Sequence, residues 1–327
     1  MHAIRQHEFG PPEVLRYEEV EDPLPGPGQV RIAVTAAGIH LLDTKIRAGQ
    51  SGGPFPPPEL PMIPGREVAG VVESTGPGVD ESWLGRRVVA HLGEASGGYA
   101  ELAVRDVSFL HAVPDGVSDE AAVAMIGTGR TALGILDVAQ LTADDVAIVT
   151  AAAGGLGTLL VQAARHAGAV VVGVAGGPAK VEKVRQLGAD VAVDYRAPEW
   201  TDEVRRALGD REPTVVFDGV GGDLGLGARQ LLGFGGRVIL YGSSSGSPAP
   251  LSAEDLFAQG LTVSAGVGAR ILKGPGGLRP YEERALAAAA DGTLVPLVGQ
   301  SFPLEKAAEA HRAVEDRNTM GKTVLVP

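Results

Sequence analysis

The chain has 327 residues with 44% hydrophobic and 21% charged, ordinary for a globular protein, and its length points to two domains. Its net charge of −12 argues against a nucleic-acid or anionic-membrane surface, and the absence of cysteine excludes disulfides and thiolate chemistry. No run of about 18 apolar residues reads as a membrane span, and no leader is visible, so a cytoplasmic protein without membrane partners is expected.

In chain order, Val14–Val20, Val30–Ala36, Val68–Thr75, Arg87–Ala90 and Tyr99–Val104 read as short strands. Dense Pro and Gly punctuate them, as in Pro23–Gly28 and Pro56–Pro58, which points to an antiparallel, barrel-like β domain. Ile39–Ala48 reads as a short helix within it. From about Glu120 to Val267 strands and helices alternate. The strands are Val146–Thr150, Val170–Val174, Asp190–Asp194, Thr214–Asp218, Arg237–Tyr241 and Leu261–Ala265, with helices such as Ala179–Leu187 and Pro198–Leu208 between them. Six parallel strands with crossover helices make a doubly wound sheet. Helices over Tyr281–Asp291 and Leu304–Val314 and a strand over Thr323–Val326 then return to the first domain, closing a cleft. The division is 1–119 with 268–327, and 120–267.

Residues 147–173 carry most of the functional signal. A buried strand ends in Ala151-Ala152-Ala153-Gly154-Gly155-Leu156-Gly157, and a helix over Thr158–His166 follows. Such a turn lets backbone approach a pyrophosphate, and the helix N-terminus supplies N–H groups and a favourable dipole. Gly154 and Gly157 fill two places of the G-x-G-x-x-G pattern, and Ala152 stands in the first. The competing reading is a tight turn without a ligand. The second strand ends Val174-Ala175-Gly176-Gly177-Pro178, with no carboxylate for a ribose 2′-hydroxyl. Gly176 leaves room there, and Lys180 follows. An open corner with a cation fits the 2′-phosphate of NADPH, although a lysine in a first helical turn can equally be a solvated side chain. The loops Asp218-Gly219-Val220-Gly221 and Tyr241-Gly242-Ser243-Ser244 follow the fourth and fifth strands and should face the dinucleotide.

This order of parts resembles the medium-chain dehydrogenase/reductase superfamily, most closely its zinc-independent NADPH:quinone oxidoreductase (zeta-crystallin-like) branch. The resemblance covers essentially the whole chain. It is carried by Ala36–Thr44, Ile63–Val72, Ala151–Gly157, Leu187–Asp190 with Asp194-Tyr195-Arg196, and Gly321–Leu325. It implies a GroES-like β domain beside a Rossmann domain, with NADPH held by backbone of Gly155 and Leu156 and the 2′-phosphate by Lys180 and Tyr195. It also implies that Thr131, Gly242, Ser243, Val267 and Lys322 line the nicotinamide half or its approach. Family members commonly dimerise by pairing the sixth strands edge to edge.

Zinc alcohol dehydrogenases of the superfamily carry Cys after Gly-Ile and His in Gly-His-Glu. Here those places hold His40 and Arg66, so no metal is expected. Two departures mark the substrate end: His40 where the branch usually has Asn, and Lys45 where Tyr is common. Phe55 replaces a frequent Tyr after the Gly-rich stretch Ser51–Pro54. His40, Asp43, Lys45 and Phe55 are the candidates for the substrate cleft. Asp43 has a second reading as the group that fixes the short helix, Lys45 as a solvated side chain, and His40 as a polar residue bonding substrate or backbone. No catalytic residue is assigned. The expected function is hydride transfer from NADPH to a quinone-type small-molecule electron acceptor. The alternatives are an enone or enoyl-thioester reductase and a non-catalytic, crystallin-like or regulatory NADPH-binding protein.

Overall fold

A computed structural model describes residues 1–50, 57–93, 96–268, 271 and 276–327. The chain forms two compact units. One comprises Met1–Gly127, Ala285–Ala290 and Pro296–Pro327, the other Thr128–Arg284 and Asp291–Val295.

The first unit is built on β3 (Gln29–Ile39), an eleven-residue strand whose side chains alternate between core and surface along Gln29–Val34. It pairs antiparallel with β4 (Glu67–Thr75), β6 (Leu102–Asp106) and β15 (Lys322–Val326). The sheet runs β14 (Val298–Pro303), β15, β3, β4, β5 (Arg87–His91), β7 (Leu110–Ala112). A hairpin of β1 (His2–Gln6) and β2 (Leu15–Glu19) forms a second, two-stranded sheet. Val30, Ile32, Val68, Val72, Val88, Tyr99 and Leu304 are among the side chains of its core. Ile39, read as the first residue of a helix, closes β3 instead. Helix α1 (Leu41–Arg47) starts only after His40, whose backbone is extended and whose N–H donates to Asp43 Oδ2 at 2.8 Å.

The second unit is a six-stranded parallel sheet in the order β10-β9-β8-β11-β12-β13. Its strands are β8 (Val146–Val149), β9 (Val170–Ala175), β10 (Val191–Asp194), β11 (Val215–Asp218), β12 (Arg237–Leu240) and β13 (Thr262–Ala265). Numbered within the unit, that order is 3-2-1-4-5-6, the doubly wound arrangement whose switch point lies between its first and fourth strands. The helices following β8 to β12 are α4 (Gly155–His166), α5 (Pro178–Gln186), α6 (Trp200–Leu208), α7 (Gly222–Arg229) and α8 (Ala253–Gln259). Val146, Ile148, Val172, Val174, Val216 and Val238 are buried in the sheet, which is why these segments read as continuous apolar runs.

The unit boundaries differ from those read off the sequence, for reasons of packing. Helix α2 (Asp119–Ala124) packs on β3, β4 and β5 and so belongs to the first unit. A π-turn over Met125–Gly129 joins it to α3 (Arg130–Ala139), and the boundary falls inside this turn. Beyond β13, Ile271 packs against Gly134, Glu282 pairs with Arg130 at 2.5 Å and Arg284 with Asp137 at 2.8 Å. These contacts hold the start of α9 (Arg279–Ala290) to the second unit, rather than passing the chain to the first unit at residue 268. Helix α10 (Ala307–Glu315) completes the first unit.

Candidate functional site

In the second unit the turn after β8 is drawn tight. Ala151 has φ +48°, Ala152 N donates to Val174 O at 3.1 Å and Gly154 N to Ala151 O at 2.9 Å. A Cβ on Gly157 would overlap the Ala151 carbonyl, so only glycine lets α4 start this close to its strand. Ala152, in the first glycine's place, is fully buried with negative φ; its methyl faces Gly173, where a further Cβ would come to 3.3 Å. The first α4 bond of the i→i−4 kind runs from Thr158 N to Gly154 O at 2.9 Å. The N–H groups of Gly155, Leu156 and Gly157 therefore precede the intrahelical ladder, as at any helix start, and can meet an anion.

The corner after β9 gathers three groups. The Tyr195 ring lies over Gly176, where a Cβ would come to 2.7 Å from the phenol oxygen. Gly177 has φ +92° and sits against the Arg196 guanidinium, 3.0 Å from the position of a Cβ. Lys180 is the third residue of α5. Asp194, the last residue of β10, accepts the N–H groups of Arg196 at 3.0 Å and of Gly177. Burial pushes its carboxyl up, but these bonds hold it below the usual range. Its charge is thus turned to backbone amides. Arg196 has no role in the sequence reading, although the run Asp194-Tyr195-Arg196 contains it.

Past β11 and β12 the two loops latch together. Buried Asp218 accepts from Val220 N at 2.9 Å, Gly221 N at 3.0 Å and Thr150 Oγ1 at 3.3 Å. Tyr241 donates to Thr150 O at 3.2 Å. Gly242 lies so close to Gly219 that a Cβ would come to 2.7 Å from its carbonyl oxygen. Val220, Gly242 and Ser243 are thereby brought beside the turn after β8, at the carboxyl ends of the strands. Thr131 stands in the first turn of α3, and Val267 two residues past β13.

In the first unit a buried charged cluster emerges that the sequence reading divided between two roles. Lys322 Nζ lies 2.6 Å from Glu67 Oε2 and 3.1 Å from His40 Nε2, and that nitrogen lies 2.7 Å from Glu67 Oε1. The side chains of Glu67 and Lys322 are 0% and 4% exposed, that of His40 24%. Burial alone would push the Glu67 carboxyl up; the charges of His40 and Lys322 outweigh it and hold the group well below the usual range. Room for the carboxylate comes from two glycines, because a Cβ on Gly38 or Gly127 would overlap its oxygens. Glu67 escaped the sequence reading, since an acid at the start of a strand carries no signal until β15 and α1 bring a lysine and a histidine to it.

Asp43 is 6% exposed, and its bonds are those its reading as the group that fixes the short helix requires. Its carboxylate accepts from His40 N at 2.8 Å, Arg66 Nε at 3.3 Å and Tyr99 Oη at 3.3 Å. Lys45, half-buried in the same helix, joins neither cluster among the described residues. Phe55 and the stretch Ser51–Pro54 lie outside the described residues. Among those residues, no group of three or more His, Cys, Asp or Glu is arranged to hold a metal ion.

A GroES-like β unit joined to a sheet of order 3-2-1-4-5-6 with a glycine turn at its switch point defines a pyridine-nucleotide oxidoreductase. Comparison with known proteins agrees. Residues 26–115 match the alcohol dehydrogenase GroES-like domain and residues 155–275 the zinc-binding dehydrogenase domain. The chain is 33% identical to the 2-haloacrylate reductase of a Burkholderia species, over 98% of this chain and 97% of that one. It is 32% identical to the quinone oxidoreductase of Sus scrofa, over 100% and 98%. The crystal structure of Escherichia coli quinone oxidoreductase complexed with NADPH superposes with a TM-score of 0.87 at 29% identity, covering all of both chains. The chain belongs to the medium-chain dehydrogenase/reductase superfamily, in its quinone oxidoreductase-like branch, and is an oxidoreductase.

Proposed function

We propose that this protein is a zinc-independent reductase that moves hydride from NADPH to a quinone-type acceptor. The observation that carries the cofactor is the corner after β9. Tyr195 and Arg196 crowd onto Gly176 and Gly177, and Lys180 follows in the next helical turn. Asp194, at the end of β10, is occupied by backbone amides. That donor set suits a dianionic phosphate and leaves no carboxylate directed at a ribose hydroxyl. On this reading the backbone at Gly154, Gly155, Leu156 and Gly157 takes the pyrophosphate. Lys180, Tyr195 and Arg196 take the 2′-phosphate, and Thr131, Val220, Gly242, Ser243 and Val267 border the nicotinamide half. When bound, NADPH supplies the hydride; the protein's part is to orient the donor and keep water away.

The quinone acceptor is supported by the naming of the pig and Escherichia coli relatives. A carbon–carbon double bond conjugated to a carboxylate is the second reading, favoured by the 2-haloacrylate reductase. Zinc-independence is supported by the absence of cysteine and by Arg66, which stands where the zinc enzymes have a histidine ligand and instead pairs with Asp43 at 3.3 Å. The test is NADPH oxidation across a panel of quinones and unsaturated acids, with and without a chelator. Turnover of quinones that survives the chelator is expected. Turnover of none of them, or loss of activity with stoichiometric zinc removed, overturns the proposal.

A further inference from the structure

We propose that Asp194 is the positioning residue of the 2′-phosphate corner, the acid whose hydrogen bonds hold Gly177 and Arg196 in place and so set the preference for NADPH over NADH. This rests on the reading above that Lys180, Tyr195 and Arg196 take the 2′-phosphate. Every residue of the corner lies in the second unit, within 175–197.

Two stretches of chain meet there. The exit from β9 runs through Gly176 and Gly177 into Pro178, the first residue of α5. With no side chain and φ +92°, Gly177 has only its backbone by which to be held. The exit from β10 is a tight turn, closed by Ala197 N donating to Asp194 O at 3.0 Å. Tyr195 and Arg196 are its two central residues, and their side chains lie back over Gly176 and Gly177. Tyr195 N donates to Ala175 O at 3.0 Å, which carries the pairing of β9 and β10 one residue past Asp194. Beyond that bond, Asp194 ties the two exits together. Its Oδ1 accepts from Arg196 N at 3.0 Å within its own turn, and its carboxylate accepts from Gly177 N across the corner.

The sign of the charge makes this acid informative. A carboxylate beside a site for a dianion repels it, so by Coulomb's law alone the corner would bind phosphate better without Asp194. The group nevertheless stays ionised. Burial pushes its carboxyl up, but the amides of Gly177 and Arg196 and the Arg196 charge outweigh that and hold it below the usual range. What it supplies in return is geometry. One side chain fixes the backbone of Gly177 where α5 begins and the backbone of Arg196 whose guanidinium Nη1 reaches to within 3.0 Å of the position of a Gly177 Cβ. The two effects have opposite signs. If Asp194 acts only through its charge, its removal tightens the phosphate; if it acts by holding the two exits, its removal loosens the phosphate.

Asp194→Ala removes both the charge and the acceptor. Asp194→Asn removes the charge and keeps an oxygen for the Arg196 N–H. Calorimetric titration of the protein with adenosine 2′,5′-bisphosphate and with adenosine 5′-monophosphate reads the corner apart from any hydride transfer. Asp194→Ala should bind the bisphosphate about tenfold or more weakly than the native protein, the loss that goes with hydrogen bonds to a charged group. Asp194→Asn should stay within about threefold of native, because the removed repulsion offsets the weaker neutral bond. The monophosphate, which lacks the group the corner meets, should bind all three proteins alike. Bisphosphate bound by Asp194→Ala as tightly as by the native protein, or more tightly, overturns the positioning role. So does a loss in Asp194→Asn as large as that in Asp194→Ala. Where Asp194→Ala does not fold, Asp194→Asn decides alone: affinity near native supports the role, and a tenfold change in either direction overturns it. A native protein that binds both nucleotides equally overturns the 2′-phosphate reading itself, and the positioning role with it.

Discussion

His311, on α10, is fully buried with its Nε2 3.1 Å from Tyr99 Oη and its Nδ1 3.4 Å from Arg47 Nη1. Burial, aided by Arg47 against the opposing pull of Asp43, pushes its pKa down to about 4. The unfolded chain binds that proton near pH 6.5, so the neutral native form is fully stable only above that value. Stability should fall as pH drops from about 6.5 to 4, by about 3 kcal/mol over the window. Glu67 has the ordinary carboxylate sense, present above its unfolded pKa and lost as pH falls towards its lower folded one, so its window begins below that of His311. Urea unfolding at pH 7 and pH 4.5 should show this loss in the native protein and much less of it in His311→Gln. Equal pH dependence in both would mean that His311 is already charged in the fold. At the cofactor corner, Lys180→Ala should weaken NADPH by ~1.5–3 kcal/mol and leave NADH almost unchanged, as the loss of one charge-assisted hydrogen bond requires. Calorimetric titration of both cofactors decides it, and an equal loss for both would place Lys180 away from the 2′-phosphate. How far the site was legible differs residue by residue. Lys180 could be proposed from the sequence because the missing acid and the helix start are local. Glu67 and Arg196 could not, because each acquires its partners only through tertiary packing.

At the scale of elements, the turn from β8 to α4 is the most constrained piece of the cofactor unit. Gly157→Ala would drive its methyl into the Ala151 carbonyl and push the helix away from the strand. The variant should lose about 1–3 kcal/mol in stability and bind NADPH at least tenfold more weakly, as thermal melts and a fluorescence titration would show. Unchanged affinity would mean that the amides of Gly155 and Leu156 are not the pyrophosphate contacts. All six strands of the parallel sheet were legible to within a residue at each end, because strands buried on both faces are written as apolar runs between turn residues. The β unit was less so. The strand β1 (His-Ala-Ile-Arg-Gln) is short and mixed, β7 has three residues, and β14 (Val-Gly-Gln-Ser-Phe-Pro) alternates in burial without alternating in polarity and ends on a proline. Asp119–Ala139 was missed as a helix because Gly127 and Gly129 interrupt it and its side chains are largely buried, so no amphipathic stripe shows.

At the scale of the molecule, β13 forms one edge of the parallel sheet, and Phe234 and Phe257 are each 86% exposed, Phe234 lying against Gly260 two residues before that strand. Unpaired N–H and C=O groups flanked by aromatic rings form a template for a second copy. Sedimentation should therefore give about twice the chain mass of 33.5 kDa, and Phe234→Glu with Phe257→Glu should lower it towards one chain. A native monomer would contradict pairing through this edge. NADPH-dependent reduction of quinone-type acceptors without zinc is tested most directly by one measurement. Purified protein in a chelator is given NADPH and a quinone, and the absorbance of the reduced nicotinamide is followed. NADPH should be consumed mole for mole with the quinone, and NADH at the same concentration should be used far more slowly. NADPH that binds but is oxidised by no quinone, or NADH used equally well, would contradict it.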